Sequence, residues 1–262
     1  MIKKPSQRLA IDGDLVLKDA IKDIGHHLQQ PTRRAFLQRS LTLGGLSLLS
    51  GCAIVDESSV EIALMKVSRF NDKVQCWLFD PNRLAPTYPD SMITRPFPFN
   101  AYYDEDEIPE VDEAGYRLEV TGIVADKHPW TLAELRALPQ TDQVTRHICV
   151  EGWSAIGKWG GVPFASFLRR IGADLSAKYV GFKCADDYYT SIDMPTALHP
   201  QTLLTLTYDS QPLPPRYGFP MKLRMPTKLG YKNPKHIQAI FVTNTYPGGY
   251  WEDQGYNWFG GS

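Results

Sequence analysis

Residues 146–153, Arg146-His147-Ile148-Cys149-Val150-Glu151-Gly152-Trp153, carry a β-like run into a cysteine and then turn at a glycine. A side chain at such a strand end points into the cleft that the surrounding loops enclose. Cysteine is a soft ligand and binds metal as the thiolate. Glu151 and Trp153 can shape a small polar substrate pocket beside it, and Arg146 adds a charge close behind. The residues alone leave three readings of Cys149 open: a buried free thiol, the nucleophile of a thiol enzyme, or a metal ligand.

Outward from this stretch the pattern is mixed. Tyr116–Val120 alternates as a strand, and Val144–Val150 is a second β-like run. Thr131–Leu138 has helical spacing, with Thr131 placed as an N-cap and Pro139 beyond the end. Pro163–Ile171 reads as a helix that stops at Gly172. Tyr179–Cys184, Leu203–Tyr208, Met221–Met225 and Ile237–Asn244 are further expected strands. Residues 53–115 read as irregular, because Pro81, Pro86, Pro89, Pro96, Pro98 and Pro109 break long elements. The expected fold is α+β, mixed and strand-rich, in a single domain over 95–262, with an irregular 52–94 before it. No G-x-G-x-x-G, P-loop, internal repeat or C-x-x-C occurs.

Charge is distributed unevenly. The net charge of −1 over 262 residues disfavours a general nucleic-acid binder. Asp104–Glu113 holds seven acids, read as a solvated loop, whereas Ser210–Trp251 holds none. That acid-free stretch carries Arg216, Lys222, Arg224, Lys228, Lys232 and Lys235. Either it is a solvated basic face or it meets a phosphorylated cofactor or anionic substrate.

The N-terminus reads as an address. Thr32-Arg33-Arg34-Ala35-Phe36-Leu37-Gln38 looks like a twin-arginine export signal, and the apolar run Leu41–Leu49 is too short to span a bilayer. Leu49-Ser50-Gly51-Cys52 is similar to a lipobox, so Cys52 is an expected lipid attachment point. The expected leader is 1–51, and beyond it the chain carries 20 basic against 25 acidic residues. A periplasmic location and the twin-arginine translocase as a partner follow. That route moves folded proteins, many already loaded with a complex cofactor.

Together these residues resemble the sulfite-oxidase superfamily of molybdenum enzymes. The match is nearest to the exported bacterial branch that includes a periplasmic methionine-sulfoxide reductase, and it covers roughly 95–262. It rests on Cys149-Val150-Glu151-Gly152-Trp153 and on Lys222-Leu223-Arg224-Met225-Pro226-Thr227-Lys228-Leu229-Gly230-Tyr231-Lys232, followed by Lys235. The resemblance implies a mixed α+β fold around one molybdopterin without an attached nucleotide. It implies that Cys149 is the protein ligand of molybdenum, beside two dithiolene sulfurs of the pterin. Asn100, Tyr103 and Asp104 match an element that contacts the pterin. Lys222 stands where that branch has Arg, and Cys184 where it has Thr. Asn233, Pro234 and Lys235 fall on a loop that holds the pterin phosphate. Lys228, His199 and Tyr217 are further cofactor-lining expectations, and Glu151, Arg146 and Trp153 tune the metal and the substrate site.

The implied reaction is two-electron oxygen-atom transfer on a sulfoxide- or N-oxide-like small molecule. Glu151 would repel sulfite. No haem-attachment C-x-x-C-H occurs and no second domain is expected, so a membrane b-type cytochrome or a quinol-linked protein would exchange the electrons. The enzyme is expected to be a monomer. A non-catalytic anion-binding lipoprotein, and oxidation of a small sulfur compound at the same site, are the alternatives. The aromatics of Tyr246–Phe259 either seal the core or, through Trp251, Tyr256 or Trp258, line the cleft or the electron-entry surface.

Overall fold

In the computed structural model, residues 57–262 are described, so the expected leader, twin-arginine motif and Cys52 lie outside the described residues. The first element is helix α1 (Glu57–Leu78). It corrects the expectation of an irregular segment here. Every proline used for that expectation follows the helix, and none interrupts 57–78. From 79 to 116 the chain does run irregularly, with only two 3₁₀ turns, at Asp90–Met92 and Glu105–Glu107.

Two five-stranded sheets form the body. The first runs in the order β2 (Trp130–Thr131), β1 (Arg117–Gly122), β10 (Ile237–Thr243), β5 (Tyr179–Cys184), β6 (Tyr189–Asp193). Only the β1–β10 pair in it is parallel; its other neighbours pair antiparallel. The second runs β3 (Thr141–Ile148), β4 (Ser154–Pro163), β7 (Leu203–Tyr208), β8 (Gln211–Pro212), with β9 (Lys222–Arg224) also paired to β7. Helices α2 (Leu132–Ala137), α3 (Phe164–Arg170) and the single turn α4 (Met194–Ala197) fill the connections. Residues Ile62–Ser262 form one unit.

The main core joins both sheets. Leu118 and Val120 from β1, Val180 and Phe182 from β5, and Ile240 and Val242 from β10 meet Phe164, Phe167, Leu168 and Ile171 near α3 and Leu204 from β7. Alternation on β1 sends Leu118 and Val120 inward and Arg117 and Glu119 outward. A smaller aromatic cluster, Phe97, Ala155, Trp159, Leu213 and Tyr217, packs separately around β4. The α2 capping box forms as the sequence implies. Thr131 Oγ1 accepts from Glu134 N at 3.2 Å, and the Glu134 carboxylate accepts from Thr131 N at 2.7 Å.

The ten-residue strand β4 is the main element the sequence reading missed. Gly157, Gly160 and Gly161 lower its apparent strand propensity. A Cβ on Gly161 would sit 2.0 Å from the Leu204 carbonyl oxygen, so close pairing with β7 requires glycine there.

Candidate active site

Cys149 sits on the turn between β3 and β4. Cys149 N donates to Trp153 O at 2.9 Å and Gly152 N donates to Cys149 O at 3.3 Å, closing the turn. Gly152 has φ +91°, a conformation that favours glycine. The turn folds Glu151 back over the thiol. Trp153 Nε1 donates to Glu151 Oε2 at 2.8 Å, and Cys149 Sγ donates to the same oxygen at 3.6 Å. From the other side Asn100 Nδ2 donates to Cys149 Sγ at 3.2 Å. Burial first, and then the Glu151 carboxylate, push the Cys149 thiol pKa up. A protonated thiol beside a carboxylate is a weak nucleophile, whereas a metal cation displaces its proton and is held by the thiolate.

The thiol opens into a cleft. Asn100, Tyr103, Glu151, Asn233, Pro234 and Lys235, all expected from the sequence, line it together with Cys149. Asp186, Tyr188, Tyr231, Trp251 and Tyr256 also line it, and of these the sequence reading raised only Trp251 and Tyr256. Asp186 stands on the β5–β6 hairpin turn, its carboxylate accepting from Tyr188 N at 3.2 Å. Burial raises its pKa.

The loop from Met225 to His236 is clamped from beneath. Arg224 is fully buried and donates to Asn233 Oδ1 at 3.3 Å, Thr145 Oγ1 at 3.2 Å and Arg146 O at 2.6 Å. Met225 N donates to Asn233 Oδ1 at 2.6 Å, and Asn233 Nδ2 donates to Leu229 O at 2.9 Å. Lys232 is buried against Glu252 and donates to Ser191 O at 2.7 Å. Arg224 and Lys232 thus build the loop, and Lys235 is presented by it.

The acid-free stretch is therefore not a solvated face. Lys222, Arg224, Lys228, Lys232 and Lys235 are all buried. Lys222 is pushed well down by burial and then by Lys235 and Arg224, with no acid offsetting them. Lys235 Nζ, both ring nitrogens of His147 and His236 Nε2 are buried without a hydrogen-bond partner among the described residues. Burial lowers the pKa of Lys235 to about 8 and that of His236 to about 4. Buried cations that repel one another and leave donors unpaired are costly unless an anion completes the site. His147 escaped the sequence reading, although strand alternation places it on the same face of β3 as Cys149.

Eight expected site residues do not line the cleft. Trp153 acts through Glu151, and Cys184 is buried at the end of β5, close enough to Asp186 for its pKa to be raised further. Lys222 lies deeper, its Nζ 4.9 Å from the Trp159 ring centroid, and Tyr217 donates to Phe97 O at 3.0 Å. The other four stand elsewhere. Arg146 faces the opposite side of β3 from Cys149 and lies 5.3 Å over the Tyr88 ring, because neighbouring strand residues alternate. Asp104 caps the Glu105–Glu107 turn. His199 accepts from Gln201 N at 3.1 Å and sits against Arg83 O at 3.1 Å. Lys228 donates to Phe259 O at 2.9 Å, since the bend after β9 turns it away from Lys235.

Fold and cleft together define a cofactor-binding protein in which a soft thiol donor shares a cleft with Lys235, a buried ammonium without a hydrogen-bond partner among the described residues, with buried Lys222 beside it. That donor set fits a metal-bearing, phosphorylated cofactor. The chain belongs to the family described as oxidoreductase molybdopterin binding domain, whose model matches residues 105–251. It is 76% identical over 262 residues, the full length of both chains, to an Azospira oryzae protein provisionally named protein-methionine-sulfoxide reductase subunit YedZ1. It is 34% identical over 134 residues to the Xanthomonas axonopodis pv. citri protein-methionine-sulfoxide reductase catalytic subunit MsrP, covering 45% of this chain and 42% of that one. The chain thus spans less than half the length of that relative. The sulfane dehydrogenase SoxCD of Paracoccus pantotrophus aligns with a TM-score of 0.49 and 18% identity over 53% of this chain and 40% of that one.

Proposed function

We propose that this protein is a molybdenum-molybdopterin oxidoreductase that reduces a sulfoxide- or N-oxide-like substrate. The observation that carries the reading is the opening of Cys149 into the cleft that Lys235 also borders. Cys149 holds the metal as thiolate. Lys235, which borders the cleft, would meet the cofactor's phosphate, with the positive charge of buried Lys222 and the ring N–H groups of neutral His147 and His236 as further support. Asn233 and Pro234 shape the loop that bears Lys235, and Asn100 and Tyr103 close the near wall. When bound, the cofactor supplies two-electron oxygen-atom transfer. Reduction of a sulfoxide consumes two electrons and two protons and yields the thioether and water.

The residues around the thiol set the rest. Glu151 is held by Trp153 and stands at the mouth of the site, where it disfavours anionic substrates such as sulfite. Tyr102, Trp251 and Tyr256 give the cleft an aromatic wall suited to a thioether or sulfoxide group. Export through the twin-arginine route to the periplasm, lipid attachment at Cys52, and electron supply by a membrane b-type cytochrome or quinol-linked protein complete the reading. The motifs at 32–52 support export and lipid attachment, and the relatives' names as subunits support a separate electron partner.

The test is turnover by metal-loaded protein with a reduced viologen as artificial donor. Donor oxidation on addition of methionine sulfoxide or an N-oxide is expected. Absence of turnover with every sulfoxide and N-oxide, in protein that contains molybdenum and pterin, would contradict the reductase reading.

A further inference from the structure

Helix α1 is attached the wrong way round for an ordinary surface helix. Such a helix buries an apolar stripe and shows water its polar side. Here polar residues face the body. Arg69 donates to Tyr246 OH at 2.6 Å, Asp72 accepts from Phe259 N at 3.0 Å, and Gln75 accepts from Gly261 N at 3.4 Å. Most of its large apolar residues are exposed, while Val74 and Cys76 are half-buried and Lys73 and Trp77 also border a groove with Tyr179, Tyr246 and Trp258. Phe70 is 64% exposed and Trp77 76% exposed. Among the described residues, seven of the fourteen exposed large apolar side chains lie on this one helix.

The outward face has an order. At about 100° per residue, Lys66, Phe70, Lys73 and Trp77 fall on one stripe, with Val67 and Leu78 along its edge. Lys66 and Lys73 are exposed. From Ile62 to Leu78 the only acid is Asp72, and it is buried on the opposite side. Alternating cations and large aromatics on an apolar strip, with no exposed acid, complement the interface of an anionic bilayer. The helix is not long and apolar enough to cross a membrane.

We propose that the outward face of the helix from Ile62 to Leu78 lies on the surface of an anionic membrane. Phe70 and Trp77 enter the headgroup–acyl boundary, and Lys66 and Lys73 meet lipid phosphates. The contact presents the folded unit to the membrane independently of any lipid on Cys52.

The experiment uses the full chain with vesicles of phosphatidylcholine containing phosphatidylglycerol, separated by flotation. The wild-type protein is expected to float. F70E/W77E, with the same leader, is expected to lose more than about tenfold in vesicle affinity while keeping its circular dichroism and its cofactor content. K66Q/K73Q is expected to lose about tenfold on the anionic vesicles and little on pure phosphatidylcholine. Nitroxide-labelled lipid should quench wild-type tryptophan fluorescence more than that of W77F, a readout that needs no disruptive variant. Equal flotation of wild type and F70E/W77E would overturn the proposal and assign binding to the leader or another surface. So would failure of the wild type to float. A wild-type dimer that F70E/W77E converts to monomer, without lipid binding, would overturn it in favour of a second copy on this face.

Discussion

Cys149, Asn100 and Glu151 make a small set whose parts depend on one another. Asn100 at 3.2 Å and Glu151 at 3.6 Å fix the thiol's direction, and burial keeps it protonated until a cation replaces the proton. Cys149→Ala is expected to retain pterin and fold but to lose at least about a hundredfold in turnover, measured with an artificial donor. Lys235 acts at the other side of the site. Lys235→Gln removes an unpartnered buried cation, so it is expected to stabilise the cofactor-free protein slightly while lowering pterin content per chain. Pterin fluorescence after extraction, set beside a denaturant midpoint, checks both halves. That Cys149 opens into a cleft was legible in the sequence from a β-like run ending at a glycine turn, whereas its reading as a metal ligand came from the family resemblance and not from the residues alone. His147 was not, because a histidine inside a strand carries no sign of whether its ring nitrogens find partners. Lys222, Lys228 and Lys235 looked alike for a similar reason: their spacing does not show how β9 and the turn at Gly230–Lys232 rotate them.

Among the elements, the ones with strong local signals were readable and the ones shaped by their neighbours were not. Tyr179–Cys184 and Leu203–Tyr208 are β-branched or aromatic runs and form strands with those bounds. β4 carries its reason in another strand, since Gly161 is required by the backbone of Leu204. Gly161→Ala is therefore expected to destabilise the fold by more than about 1 kcal/mol, the typical cost of a point substitution, read from urea denaturation. Thr131→Ala removes one side of the α2 capping box and is expected to cost about 1 kcal/mol in the same measurement. The Lys232–Glu252 pair is of another order. Both side chains are fully buried, and Lys232 also donates to Thr190 Oγ1 at 3.1 Å. Glu252→Gln leaves that ammonium without its counter-charge and is expected to cost about 3 kcal/mol. α1 was missed because most of its large apolar residues are exposed, so the proline-rich stretch after it dominated the reading.

For the molecule as a whole, the buried cations link stability to pH. His236 donates from its ring toward Phe219 O at 2.6 Å, and burial, Lys235 and Lys222 lower its pKa from 6.5 to about 4. The folded protein thus keeps His236 neutral while the unfolded chain takes up a proton near 6.5. Its contribution is fully present above about pH 6.5 and is lost as pH falls toward 4, roughly 3 kcal/mol in all. An anion bound among Lys222, Lys235 and His147 raises these pKa values again, so cofactor-loaded protein should resist acid better than cofactor-free protein. Denaturant midpoints of both forms between pH 4 and 7 check this, and parallel curves would contradict it. The near-neutral net charge hides this arrangement, because the cations from Lys222 to Lys235 are inside the fold and the acids of Asp104–Glu113 are largely outside it.

The most direct test of the central claim is the number of sulfur ligands on molybdenum, from X-ray absorption at the metal edge of full-chain, cofactor-loaded protein. Two dithiolene sulfurs and the Cys149 thiolate predict three in the wild type and two in Cys149→Ala. The same sulfur count in both proteins would contradict the assignment of Cys149 as the metal's protein ligand.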